Sequence, residues 1–190
     1  MKQHISYSEL SKWYACPYQH KIVYVDNNKL FKGNIFTAFG SAIHKVCENL
    51  ILDSPIGNDF FEEEFSKELD SLEESVLPEE KDIFLKQGQN IIPHILPAAK
   101  EYFGEYEVFS TEEKIYEKIV HNNLDLCNFK GYIDLVIKKD NKYHIIDWKS
   151  CSWGWDSRKK NDKIITYQLA LYKHFIAIKH NMDIKNIESH

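Results

Sequence analysis

The chain has 190 residues, 43% hydrophobic and 14% aromatic, so it can bury a core as one globular domain, and a disordered tether is excluded. No stretch approaches the roughly 18 uninterrupted apolar residues that span a bilayer, and residues 1–10 show no apolar h-region, which together set the expectation of a cytoplasmic protein. The net charge of −5 argues at first against a polyanionic partner, but residues 59–82 hold eleven acids against Lys67 and Lys81, a local −9, which leaves +4 for the rest.

Ser6-Tyr7-Ser8-Glu9 has the S-x-x-E form of a capping box and opens a helix of about ten residues that Cys16-Pro17 should end. Residues 22–25 read as a short extended piece and residues 26–33 as a polar loop. From Phe36 onward Phe39, Ile43, Val46, Cys47, Leu50 and Ile51 recur at helical intervals, with His44 at the edge of that face. Residues 60–77 form an acidic amphipathic pattern, and residues 78–102 a helical one broken or bounded at Pro93 and Pro97. The chain is therefore read as a single domain over 1–190 in which 53–104 is a mainly helical insert or lobe.

Residues 108–120 alternate and carry β-formers, which predicts the first strand of a sheet. Residues 131–137 and 143–149 follow as a hairpin around Asp140-Asn141, a pair that tolerates left-handed backbone. A loop rich in Trp and base covers 153–162, and an amphipathic helix over 164–179 runs through Ile165, Leu169, Tyr172 and Ile176. Residues 183–190 look like a polar connector leading toward another strand, so either the sheet lacks that edge strand or the sequence stops short of it. Cys16, Cys47, Cys127 and Cys151 show no C-x-x-C spacing and are expected to be reduced, structural thiols.

Any symmetric loop at Asp140-Asn141 places Asp134 opposite Asp147 on one face, with Cβ atoms about 4.5–5.5 Å apart, where like charges need neutralising. Strand alternation puts Lys149 on that face, about 6.6 Å beyond Asp147, and turns Trp148 to the other. Asp147 with Lys149 could be an ordinary strand-end ion pair. Asp134 is harder to explain that way, because a half-buried carboxylate in mid-strand carries a desolvation cost unless it is paired or bound to metal. Two carboxylates suit Mg²⁺ or Mn²⁺ together with water and a substrate phosphate, and the chemistry such a site supports is phosphodiester hydrolysis.

From Lys138 to Lys163 there are eight bases and four acids, beside the carboxylate pair. Within that stretch Trp153 and Trp155 precede Arg158, Lys159, Lys160 and Lys163, interleaving stacking surfaces with cations as single-stranded or frayed DNA requires. A tryptophan pair packing the loop onto the core is the equal alternative. No base-reading motif is present, which disfavours sequence-specific cutting.

Five segments in this order resemble the PD-(D/E)XK nuclease superfamily, in the branch of the RecB and AddB nuclease domains and the CRISPR-adaptation exonucleases. They are residues 8–17 (SELSKWYACP), the G-x-x-x-H helix from Gly40 to His44, Gly131-Tyr132-Ile133-Asp134, Asp147-Trp148-Lys149-Ser150, and Gln168-Leu169-Ala170-Leu171-Tyr172. The resemblance implies an α/β, restriction-endonuclease-like core, a mixed central sheet flanked by helices, with an N-terminal helical elaboration. It implies that His44, Asp134, Asp147 and the backbone carbonyl of Trp148 bind metal, that Lys149 is catalytic with the two aspartates, and that Gln168 and Tyr172 position DNA or Lys149. Glu112 and Glu113 are auxiliary candidates. Ile133 stands where many members have proline, and no cysteine follows Cys151, so the four-cysteine iron-sulfur cluster of some relatives is not expected.

The expected function is that of a Mg²⁺- or Mn²⁺-dependent, RecB-like deoxyribonuclease, an exonuclease rather than an endonuclease, in recombination, repair or phage DNA processing. Its partners would be DNA and a helicase or recombination protein. The alternatives are a non-catalytic DNA-binding or scaffold module that keeps the fold, or a ribonuclease.

Overall fold

Period-two alternation on either side of Asp140-Asn141 builds a hairpin, and both turn residues adopt left-handed backbone, with φ of 50° and 62°. The computed structural model describes residues 3–28, 32–57, 59–120, 127–150 and 162–190. In chain order it contains β1 (His4–Ser6), α1 (Tyr7–Ala15), α2 (Pro17–His20), α3 (Ile35–Ile51), α4 (Phe60–Asp70), α5 (Pro78–Phe103), β2 (Glu107–Lys118), β3 (Asn128–Lys139), β4 (Lys142–Ile146), α6 (Lys163–His180) and β5 (Ile187–Ser189). The contacts divide the chain into a sheet unit, residues 1–30, 109–147 and 151–190, and a helical unit, residues 31–108 and 148–150.

In the sheet unit the strand order is β1-β3-β4-β5, and β2 also pairs with β3. β4 runs antiparallel to β3 with Leu135 opposite Ile146 and Lys139 opposite Lys142, which is the predicted register. β1 and β5 add parallel to β3 and β4 respectively. The sheet is mixed, α1 and α6 pack in the same unit, and the α/β architecture is the expected one. α6 is capped by the Asp162 carboxylate, which accepts from the Ile164 amide at 2.8 Å, and it ends in left-handed Asn181. It lays Tyr172, Phe175 and Ile176 into a core with Ile115, Phe129, Ile133, Val136, Ile145 and Ile187. Phe129 stacks on Phe175 with ring centroids 4.4 Å apart. Each such buried side chain contributes about 1.5–3 kcal/mol.

The helical unit is built on α3, whose capping box pairs Asn34 with Thr37 and whose buried face carries Ala38, Phe39, Ala42, Ile43, Val46 and Cys47. Phe61 and Phe65 from α4 stack on one another at 5.8 Å and meet Phe39 edge-on at 6.0 Å. α5 passes Phe61 where only glycine fits, since a Cβ on Gly88 would lie 2.1 Å from its ring carbons.

Several expectations need correction. Residues 22–25 are not extended: Lys21–Val25 forms a π-helical turn that continues α2. The acidic helix ends at Asp70 rather than residue 77. Pro93 and Pro97 lie inside one continuous α5. Both prolines and Gln89 are exposed, so the carbonyls that lose a helical donor, those of Gln89 and Pro93, sit on the solvent side where water can serve them. The missing edge strand is present, because residues 183–190 form a 3₁₀ turn (Ile184–Asn186) and then β5. β4 stops at Ile146 rather than reaching residue 149, so strand alternation does not carry Lys149 onto the face of Asp147.

Candidate active site

One step past the last registered pair of the hairpin sets Asp134, half-buried on β3, against Asp147 just beyond β4. The Asp147 amide donates to the His190 carbonyl at 3.2 Å, which ties the end of β4 to the strand beside it. On α6, Gln168 and Tyr172 are one turn apart and both are buried. The Gln168 amide donates to Asp147 Oδ1 at 3.0 Å and to the Tyr172 hydroxyl at 3.2 Å, so both hydrogens of one NH₂ group are used. Burial pushes the Tyr172 phenol above its ordinary value, the Gln168 hydrogen bond opposes this, and the charges of Asp147 and Asp134 push it further up.

Tyr7 of α1 is a residue the sequence reading did not single out. Its hydroxyl donates to the Ile164 carbonyl at the start of α6. Burial raises its pKa first, and the charges of Asp162 and Asp147 add to that, so Tyr7 too stands near the carboxylate site. A pocket of about 360 Å³ opens between Tyr7, Lys130, Gly131, Tyr132, Gln168 and Tyr172. The signal for Tyr7 in the sequence was the S-x-x-E motif, read as a helix cap, at the border of the family-like segment 8–17. Ser6 does cap α1, accepting from the Glu9 amide at 3.3 Å, and the Glu9 carboxylate accepts from His20 Nε2 at 2.8 Å.

The sheet unit thus brings together Asp134, Asp147, Gln168 and Tyr172. His44, Trp148 and Lys149 belong to the helical unit. There His44 is half-buried on α3, Trp148 packs against the aromatic core and Lys149 is exposed. Within that unit a Cβ on Gly40 would lie 3.4 Å from Ser150 Oγ, which places Ser150 beside the G-x-x-x-H helix. Lys163 is exposed at the first turn of α6, whereas Trp153, Trp155, Arg158, Lys159 and Lys160 lie outside the described residues.

Glu113, an auxiliary candidate, is engaged elsewhere, accepting from Lys179 Nζ at 2.5 Å and from His180 Nε2 at 2.8 Å at the end of α6. Burial alone would raise its pKa, but hydrogen bonds from Lys179 and His180 outweigh that and hold it below the ordinary 4.5. A depressed folded-state pKa contributes stability above the unfolded value that is lost as pH falls through the folded one. Glu113→Gln should therefore cost about 1–3 kcal/mol in urea unfolding at pH 7, a deficit that shrinks toward zero as both proteins are acidified below pH 4.5. A deficit independent of pH would remove the ion pair as its cause. Glu112 is exposed with φ of 46°, a left-handed residue within β2.

A second group of donors, also unforeseen, gathers His144 of β4 with Glu188 and His190 at the β5 edge, with one ligand atom of each within 4.8 Å of the others. Among the described residues Cys16, Cys47 and Cys127 are free thiols, and no helix is long and apolar enough to cross a membrane.

Paired carboxylates on a hairpin, one of them held by a buried glutamine, form an oxygen-donor set that fits a hard divalent cation. No curated protein matches the chain. The family model of the PD-(D/E)XK nuclease superfamily matches residues 4–186, nearly the whole sequence, and the chain belongs to that superfamily.

Proposed function

We propose that this protein is a Mg²⁺- or Mn²⁺-dependent deoxyribonuclease of the RecB-like type, acting as an exonuclease on single-stranded or frayed DNA ends. The observation that carries the reading is the Gln168 amide fixed on Asp147 Oδ1 while the charges of both Asp147 and Asp134 act on Tyr172. Membership of the superfamily supports metal-dependent phosphodiester hydrolysis. Asp134 and Asp147 would hold the ion, with His44 and the Trp148 carbonyl as further ligands. An ion held there would supply Lewis-acid chemistry, lowering the pKa of a bound water and offsetting charge on the phosphoryl oxygens.

The chain's own residues have separable tasks. Gln168 donates to Asp147 Oδ1 and so fixes the orientation of that carboxylate. Tyr172, buried and hydrogen-bonded to Gln168, fixes the orientation of that amide. Lys149 would stabilise charge developing on the phosphate, and Trp153, Trp155, Arg158, Lys159, Lys160 and Lys163 would hold the strand through stacking and phosphate contacts. Residues 1–190 would act as one nuclease domain with 53–104 as its helical lobe. Its setting would be cytoplasmic DNA recombination, repair or phage DNA processing, with a helicase or recombination protein as partner.

The test is incubation with end-labelled single- and double-stranded DNA and RNA in Mg²⁺, Mn²⁺ or EDTA. Metal-dependent release of nucleotides from DNA ends is expected, abolished by Lys149→Ala. Binding without cleavage in either metal would exclude the enzyme reading, and preference for RNA would exclude the deoxyribonuclease.

A further inference from the structure

His144 is buried on β4 and stands in register opposite Glu188 on the parallel strand β5. Side chains two apart on a strand return to one face, so His190 rejoins the face of Glu188 and His144. His144 Nδ1 lies 3.0 Å from His190 Nε2 and 3.6 Å from Glu188 Oε2. A tetrahedral Zn²⁺ with bonds of about 2.0–2.1 Å sets its donor atoms about 3.4 Å apart. The two observed separations fall on either side of that value, and the ligand atoms of all three residues lie within 4.8 Å of one another. The other Glu188 oxygen, Oε1, is paired with Lys142, so the carboxylate can serve metal and lysine at once.

We infer that His144, Glu188 and His190 form a second metal site, selective for Zn²⁺ or a similar borderline transition-metal ion, that staples β5 to β4. Two imidazoles and one carboxylate favour such ions over Mg²⁺, which prefers oxygen ligands. The site is chemically unlike the aspartate pair and is built by different residues. Its consequence for the fold is direct. The His190 amide donates to the Ile145 carbonyl at 2.9 Å, and the His190 carbonyl accepts from the Asp147 amide at 3.2 Å. An ion that fixes His190 therefore fixes the backbone from which Asp147 projects, through a strand of only three residues.

The rival account is a hydrogen-bonded His–His–Glu chain that takes no metal, and titration of the 190-residue chain after metal stripping separates the two. Calorimetry with ZnCl₂ should show one equivalent bound at or below roughly 10 μM, and Co²⁺ should give the visible absorption of a tetrahedral nitrogen-containing site. Thermal melting should rise by several degrees with ZnCl₂. His190→Ala and Glu188→Gln, both away from the buried core and checked for folding by circular dichroism, should each weaken Zn²⁺ at least tenfold, while Asp134→Asn should leave this affinity unchanged. No uptake by the unaltered protein, or uptake that survives both edge substitutions and is lost in Asp134→Asn, would overturn the site.

Discussion

Asp134→Asn is expected to lower metal-dependent hydrolysis on the order of 10³-fold while leaving the metal-free protein as stable as before or more so. The two effects have one cause. Asp134 is half-buried, extends the register toward Asp147, and with it raises the pKa of Tyr172. Without a cation, two like charges at cross-strand distance oppose folding by a few tenths to about 1 kcal/mol. Asparagine keeps the volume and removes one charge, so in EDTA the variant should melt at the same temperature or higher. In Mn²⁺ the order should reverse, because only the unaltered pair gains binding energy from the ion. Cleavage assays and melting curves in both conditions decide the matter. Activity within tenfold of the unaltered protein would remove Asp134 from the metal site, and a variant less stable in EDTA would show that its carboxylate serves an ordinary ion pair.

The hairpin that makes this prediction possible was legible in the sequence because its determinants are local. Apolar alternation sets the strands, Asp140-Asn141 sets the turn, and the register follows from both. The helix over Ile35–Ile51 was legible for the same reason, since its apolar period is long enough to outweigh noise. β1 and β5 escaped detection because each has three residues, too few for any period, and exists only through pairing with β3 or β4. The His144–Glu188–His190 group was hidden with β5. Lys21–Val25 misled because Ile, Val and Tyr favour strands in isolation, whereas here they continue a helix already begun at Pro17. In α6 the predicted face through Ile165, Leu169, Tyr172 and Ile176 holds in its second half, but Ile165 and Leu169 are only half-buried, and the buried stripe also takes in Gln168 and Phe175. A glutamine within that stripe is itself a signal, because a buried amide needs partners, and it finds them in Asp147 and Tyr172.

Gly131 opens the G-Y-I-D segment, and the structure gives a packing reason for its lack of a side chain. A Cβ there would stand 2.8 Å from Tyr172 Cε1 and 3.2 Å from Phe129 Cε1. Neither ring can retreat easily. Phe129 is 2% exposed and stacked on Phe175, and Tyr172 is 6% exposed and tied to Gln168. Gly131→Ala is therefore expected to cost about 1–3 kcal/mol of stability by overpacking. By displacing Tyr172 it should also loosen the Gln168 amide on Asp147 and lower turnover by roughly 10²-fold, the scale of a 1 Å misplacement. A double-mutant cycle with Tyr172→Ala tests the cause. If the clash with Tyr172 is what the alanine methyl introduces, truncating the ring costs less in the Gly131→Ala background than alone, with a coupling of about 0.5–3 kcal/mol in urea unfolding. Additive losses would mean that glycine is needed at this position for some reason other than the tyrosine that anchors Gln168.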